Sequence, residues 1–202
     1  MIDALPSRTQ VAYHEAGHAV AALALGWSAH DLTLSMDAVP VDGVLTLGVC
    51  NVGSPPTLTL PAFIYDRGGY RARTPAELDA KFGATVAKQG AIVFAAALAA
   101  EALFIRGEVR PSDMLDLGMR PTVVGSDFDR ILRWAGMRAP GEPIDVGVLG
   151  RFERVYMQAA RLIAKPAAWR AVRVLATELE RRGEVGGVEA TAYLAARGRQ
   201  RK

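Results

Sequence analysis

Residues 11–22, VAYHEAGHAVAA, hold two of the chain's three histidines, four positions apart and with a glutamate between them. Ser7 followed by Gln10 has the Ser-x-x-Gln form of a capping box, alanine and leucine dominate from Arg8 to Leu25, and Gly26 supplies a stop. One helix with both ends marked is predicted, and His14-Glu15-Ala16-Gly17-His18 lies inside it as an HExxH sequence. At ~100° per residue, positions four apart share a helix face, so both imidazoles can reach one ion while Glu15 stands beside it.

That set of residues suits metal-assisted hydrolysis. Zinc with three protein ligands and one open position lowers the pKa of its bound water toward ~7, and a nearby carboxylate can take the proton. Glu15 is the expected general base, carrying the proton afterwards to the departing amine. The plainer alternative is that two histidines and a glutamate on an alanine-rich helix are surface or packing residues, since five-letter patterns arise by chance. Gly17 weighs toward a special site, because glycine costs a helix ~1 kcal/mol relative to alanine and the sequence offers no obvious need for it.

Beyond this helix, Asp31 to Met36 and Gly43 to Val49 alternate apolar and polar residues across a turn-like stretch, 37–42, that contains Pro40. Two short strands are expected, with a hairpin as one way of pairing them. Residues 51–74 carry Gly53, Pro55, Pro56, Pro61, Gly68 and Gly69, which forbids long regular structure and reads as a long surface loop. From Pro75, residues 76–105 read as one or two helices, Gly83 and Gly90 being where a break would fall, with the second half in the core. After a loop at 108–124, Ser126 is placed to cap a helix over 127–134, and 136–143 is a linker. Helices follow at 146–164 and 166–182, with a short last one at 188–196. The expected fold is mainly α (α+β): an HExxH helix of zincin type with a small β element, then a helical bundle.

The sequence resembles the peptidase domain of the FtsH-type, membrane-anchored ATP-dependent zinc proteases. Three islands carry the resemblance in the family's order: Val11 to Ala22, including Tyr13 and the Ala19-Val20 pair; Leu98 to Phe104, LAAEALF; and Gly125 to Arg130, GSDFDR. It implies His14, His18 and Asp127 as zinc ligands, Glu15 as base, and Glu101 as a carboxylate orienting a ligating imidazole. Glu101 could instead be a helix-end carboxylate facing water. Ser126 replaces the family's asparagine, which leaves Asp129 as a rival to Asp127, and His30 as a further one. Residues 51–74 and most of the region after Trp134 carry no motif shared with the family. Neither a Gly-x-x-x-x-Gly-Lys-Ser/Thr nucleotide motif nor a membrane span is read in the sequence.

Composition is compatible with this reading. Half of the 202 residues are hydrophobic and 22% are charged, a globular balance, and the length suffices for one ordinary domain. The expected organisation is a zinc peptidase core over 1–134 and a helical region over 135–202 packed on it, one domain overall. Cys50 is the lone cysteine, so no intramolecular disulfide and no cysteine zinc cluster can form. Residues 1–9 lack the apolar run of an export signal, and a cytoplasmic location is expected. Residues 90–100 fall short of the ~20 apolar residues of a membrane span. The net charge of +3 comes largely from Arg197, Arg199, Arg201 and Lys202, a poor basis for nucleic-acid binding.

The expected activity is that of a zinc metalloendopeptidase acting on peptides or unfolded protein segments laid along an edge strand, the segment 43–49. The loop 108–124 precedes the third ligand and could narrow the cleft. Without a motor of its own, the chain would depend on a separate unfoldase for folded substrates, and the helices after Val146 could support a homo-oligomer. The alternative is a non-catalytic zinc-binding interaction or regulatory module. Retention of Glu15, which such a module would be free to lose, speaks against it.

Overall fold

A computed structural model describes residues 6–28, 33–36, 39–41, 44–46, 48–52, 63–66, 69–72, 75–112, 126–136 and 144–198. Helix α1 spans Arg8–Ala24. Its capping box forms as expected: the Ser7 hydroxyl accepts from the Gln10 backbone N–H, and the Gln10 side chain accepts from the Ser7 N–H at 2.6 Å. Helix α2, Pro75–Arg106, is one unbroken helix of 32 residues. Of the one or two helices expected, one forms: neither Gly83 nor Gly90 breaks it, and a Cβ at either would meet nothing within 4 Å. Each glycine weakens the helix by ~1 kcal/mol, which burial of Ala91, Val93 and Ala95–Ala100 outweighs.

Gly17 has a packing reason that the sequence concealed. A Cβ there would lie 2.8 Å from Ala100 Cβ, from the Ala96 carbonyl oxygen and from Ala97 Cα. Helices α1 and α2 therefore cross at a distance that only a glycine permits, and its presence is not in itself a sign of chemistry. By length and composition the segment Gly83–Arg106 also suffices to cross a membrane, beyond the shorter apolar run expected; half of its most apolar window is buried inside the protein.

Helix α3, Asp127–Ala135, starts behind Ser126, whose hydroxyl accepts from the Asp129 N–H, and stops at Gly136 in the left-handed region (φ 109°). Helix α4, Val146–Ile163, is capped by Asp145 and buries Val148, Phe152, Val155, Tyr156, Ala159 and Ile163 as a stripe at helical spacing. Helix α5, Pro166–Arg182, has proline in its first turn and buries Val172, Leu175, Ala176 and Leu179. Helix α6 spans Gly187–Gly198. One apolar core runs through α1, α2, α3, α4 and α5.

Of the ways the strands could pair, a simple hairpin between the two expected stretches is not the one that forms. Strand β1, Thr33–Ser35, pairs antiparallel with β4, Val49–Asn51, and on its other side with β7, Glu184–Gly186, so that Leu34 faces both Cys50 and Val185. The stretch expected as a turn contributes β2, Val39–Val41, which pairs with β3, Val44–Thr46, in a ribbon of its own. Pro40 is tolerated because a two-stranded ribbon leaves one edge of each strand unpaired. Alternation names a strand but not its partner, and β7 is too short to show a period. Within 51–74, where a loop was expected, β5 (Phe63–Asp66) and β6 (Gly69–Ala72) form a further antiparallel pair. The protein is thus mainly α with a small three-stranded antiparallel sheet, the fold class expected.

Candidate metal centre

Three elements converge on α1. His14 and His18 sit one turn apart on it, their rings 5.1 Å apart and nearly perpendicular. Asp127, the first residue of α3, places one carboxylate oxygen, Oδ2, 2.8 Å from His14 Nε2 and 2.9 Å from His18 Nε2. A carboxylate at a helix N-terminus is favoured by the helix dipole. From α2, the Val93 carbonyl accepts from His18 Nδ1 at 3.0 Å, and Glu101 Oε2 lies 3.3 Å from His14 Nδ1.

This geometry decides the tautomers. A carbonyl only accepts, so His18 Nδ1 carries the proton, and in the neutral ring the Nε2 lone pair faces the Asp127 oxygen. The His14–Glu101 contact orients the other imidazole the same way. Two ring lone pairs and a carboxylate oxygen cannot face one another at these distances without a positive charge among them. Their three ligand atoms lie within 4.8 Å of one another, and together they could hold a metal ion. Where no metal is bound, a proton takes its place. Burial pushes the His14 pKa down, but hydrogen bonds to Asp127 and Glu101 prevail and hold it well above the usual value. Burial pushes the Asp127 carboxyl up, and the adjoining histidines draw it far below the ordinary carboxylate range.

Glu15 lies beside the cluster and is 5% exposed. Burial raises its pKa, while the charges of His14 and His18 and a hydrogen bond from the Cys50 backbone N–H pull the other way; the net shift is upward. Gly48, just before β4, completes this enclosure. A Cβ there would stand 2.6 Å from Val11 Cγ1 and 2.8 Å from Glu15 Oε1. Sequence reasoning missed both Gly48 and Cys50, because a contact between strand backbone and helix side chain leaves no trace in periodicity.

The structure brings together His14, His18, Asp127, Glu101 and Glu15. Asp129 points elsewhere: its Oδ2 lies 2.9 Å from Arg133 Nε at i+4, as expected if Asp127 faces the histidines. His30 lies outside the described residues, as do 29–32 and most of the loop 108–124. A depression of about 280 Å³ along α5, between Arg170, Arg173, Val174, Thr177 and Glu178, contains none of the donor atoms.

Known protein-family models and curated protein sequences yield no match to this chain. Its chemistry is therefore argued from the cluster itself. Two imidazole nitrogens and one carboxylate oxygen, with a separate buried carboxylate alongside, would leave one coordination position for water or substrate on a four-coordinate ion.

Proposed function

We propose that the cluster holds zinc and that the protein is a metallopeptidase hydrolysing peptides or unfolded protein segments. One observation carries this: both Nε2 atoms converge on one Asp127 oxygen while each Nδ1 is engaged behind, with Glu15 buried at their side. His14, His18 and Asp127 would be the ligands; the donor set of two imidazoles and a carboxylate, with outer partners on both rings, suits zinc. When bound, zinc would polarise the scissile carbonyl and acidify water.

The other steps belong to the chain's own residues. Glu15 takes the proton from the attacking water and passes it to the leaving amine, a role for which a carboxyl with a raised pKa is suited. The Cys50 N–H and the space at Gly48 hold its carboxylate toward the cluster. Among the described residues strand β4, which shares only Val49 with the segment 43–49 expected to receive substrate, is an edge of the three-stranded sheet, and an extended substrate would add along it, past Glu15. A folded protein presents no such strand, so a separate unfoldase would be needed for folded substrates.

The test is metal analysis of purified protein together with cleavage of reduced, unfolded casein by wild type and by Glu15→Gln. About one zinc per chain is expected in both, lost in His14→Ala and His18→Ala, with cleavage reduced by orders of magnitude in Glu15→Gln and abolished by chelation. Zinc binding with no cleavage of any unfolded substrate, and no difference between wild type and Glu15→Gln, would favour the non-catalytic interaction module instead.

A further inference from the structure

We propose that Arg130 is a specificity-determining residue that recognises a carboxylate on the substrate, an acidic side chain or a free C-terminus. The proposal rests on the peptidase reading of the neighbouring cluster. Arg130 lies three residues after Asp127 on α3, so the two share a helix face. Its guanidinium carbon stands 4.9 Å from the centroid of the Phe94 ring. That ring in turn meets His18 edge-on, with centroids 5.9 Å apart, and Phe94 adjoins Val93, whose carbonyl holds His18 Nδ1. The cation is thus anchored to the wall that positions a metal ligand.

Its charge is uncommitted. The next arginine along α3, Arg133, is neutralised by Asp129, whereas Arg130 is exposed and has no ion-pair partner among the described residues. A cation–π contact engages the charge of the guanidinium without using its N–H groups as donors to an acceptor oxygen, so they stay free to grip a carboxylate through two parallel hydrogen bonds. The two histidines are therefore flanked unequally: Glu101 stands behind His14, and Arg130 stands on the His18 side. An extended peptide advances ~3.3 Å per residue, so the guanidinium is within reach of a group a few residues from the scissile bond. A carboxylate there would be drawn to the Arg130 side and would fix the direction in which the chain lies.

The experiment uses zinc-loaded Glu15→Gln protein, which on the peptidase reading binds peptides without consuming them. Fluorescent peptides containing one Glu, or Gln in its place, each with a free or an amidated C-terminus, are titrated against it and against the same protein carrying Arg130→Glu or Arg130→Lys. The expected result is roughly tenfold to hundredfold weaker binding of the carboxylate-bearing peptide in Arg130→Glu, partial retention in Arg130→Lys, and little change for the peptide lacking both carboxylates. The Glu/Gln and free/amidated arms tell which carboxylate is read. Equal weakening of all peptides, or no preference for carboxylate in the Arg130 protein, overturns the proposal, and so does absence of any peptide binding. Cleavage of casein by wild type, run alongside, separates the cases. Turnover without carboxylate preference defeats the Arg130 proposal alone, and carboxylate-selective binding without turnover defeats the peptidase reading alone.

Discussion

Helices α1 and α2 meet through Gly17, Ala96, Ala97 and Ala100, whereas α4 and α5 bury Phe152, Tyr156, Ile163, Leu175 and Leu179. The first contact removes little side-chain surface from water but lets two backbones approach until the Val93 carbonyl and Glu101 reach the imidazoles of α1. The second contributes ~25 cal/mol for each Å² of apolar surface it buries and contains none of the site's donor atoms. Large side chains stabilise the fold, and small ones set the distances on which the chemistry depends. If that division is correct, damage to the two regions should be separable.

The largest effect is expected in the large-residue region. Leu175 is fully buried, and Leu175→Ala should lower stability by ~2–5 kcal/mol in urea unfolding while the folded protein keeps its zinc stoichiometry and affinity. Loss of zinc from folded Leu175→Ala would break the comparison. In the small-residue region, Gly17→Ala gains ~1 kcal/mol of helix propensity, yet its methyl would meet backbone atoms of α2 that cannot turn aside. A net loss of ~1–3 kcal/mol is expected, together with weaker zinc binding measured by competition with a chelator, because α2 carries the outer partners of both rings. Destabilisation with unchanged zinc affinity would show that the crossing serves packing alone.

The same division explains what could be read in advance. His14, Glu15, His18, the capping box at Ser7 and the cap at Ser126 are local, and local spacing reveals them. Asp127 and Glu101 came from a resemblance, and their geometry beside His14 was not otherwise legible. What stayed hidden depends on which backbones approach one another: the need for Gly17, the continuity of α2 through Gly83 and Gly90, the pairing of β1 with β4 and β7, and the contact of Gly48 and Cys50 with Glu15. A glycine forced by a neighbour 2.8 Å away and a glycine with open space around it are the same letter.

Gly48→Ala probes that last contact at smaller cost to the fold. The added methyl would press on Val11 and Glu15, so on the peptidase reading zinc should be retained and cleavage of unfolded substrate should fall on the order of tenfold. General-base catalysis contributes ~10²–10⁴ in all, and this change misplaces the base without deleting it. Unchanged kcat with zinc bound would remove Gly48 and β4 from the account of how Glu15 is positioned.

The smallest effect concerns pH and isolates the small-residue region without changing its packing. In metal-free protein His14 is held above its ordinary pKa against the pull of burial by Asp127 and Glu101, so folding favours its protonated form. The stability this contributes is complete below the unfolded value of ~6.5 and is lost as pH rises through the raised folded value. Asp127 has the opposite sign: its contribution is present above ~3.9 and lost only as pH falls through its depressed folded value. Metal-free protein should therefore melt at progressively lower temperature on the alkaline side of neutrality. Zinc held as proposed would replace the proton on His14, so the loaded protein should not share that decline, and zinc affinity should weaken on acidification as the proton competes for the ring. Thermal melts with EDTA and with zinc, across about pH 6 to 9, measure both. Leu175→Ala should shift the two curves down together and keep their shapes, whereas Glu101→Gln should flatten the metal-free decline by withdrawing one of the groups that lifts His14. A metal-free curve that rises with pH across this window would mean that the two imidazoles and Asp127 do not face one another as described.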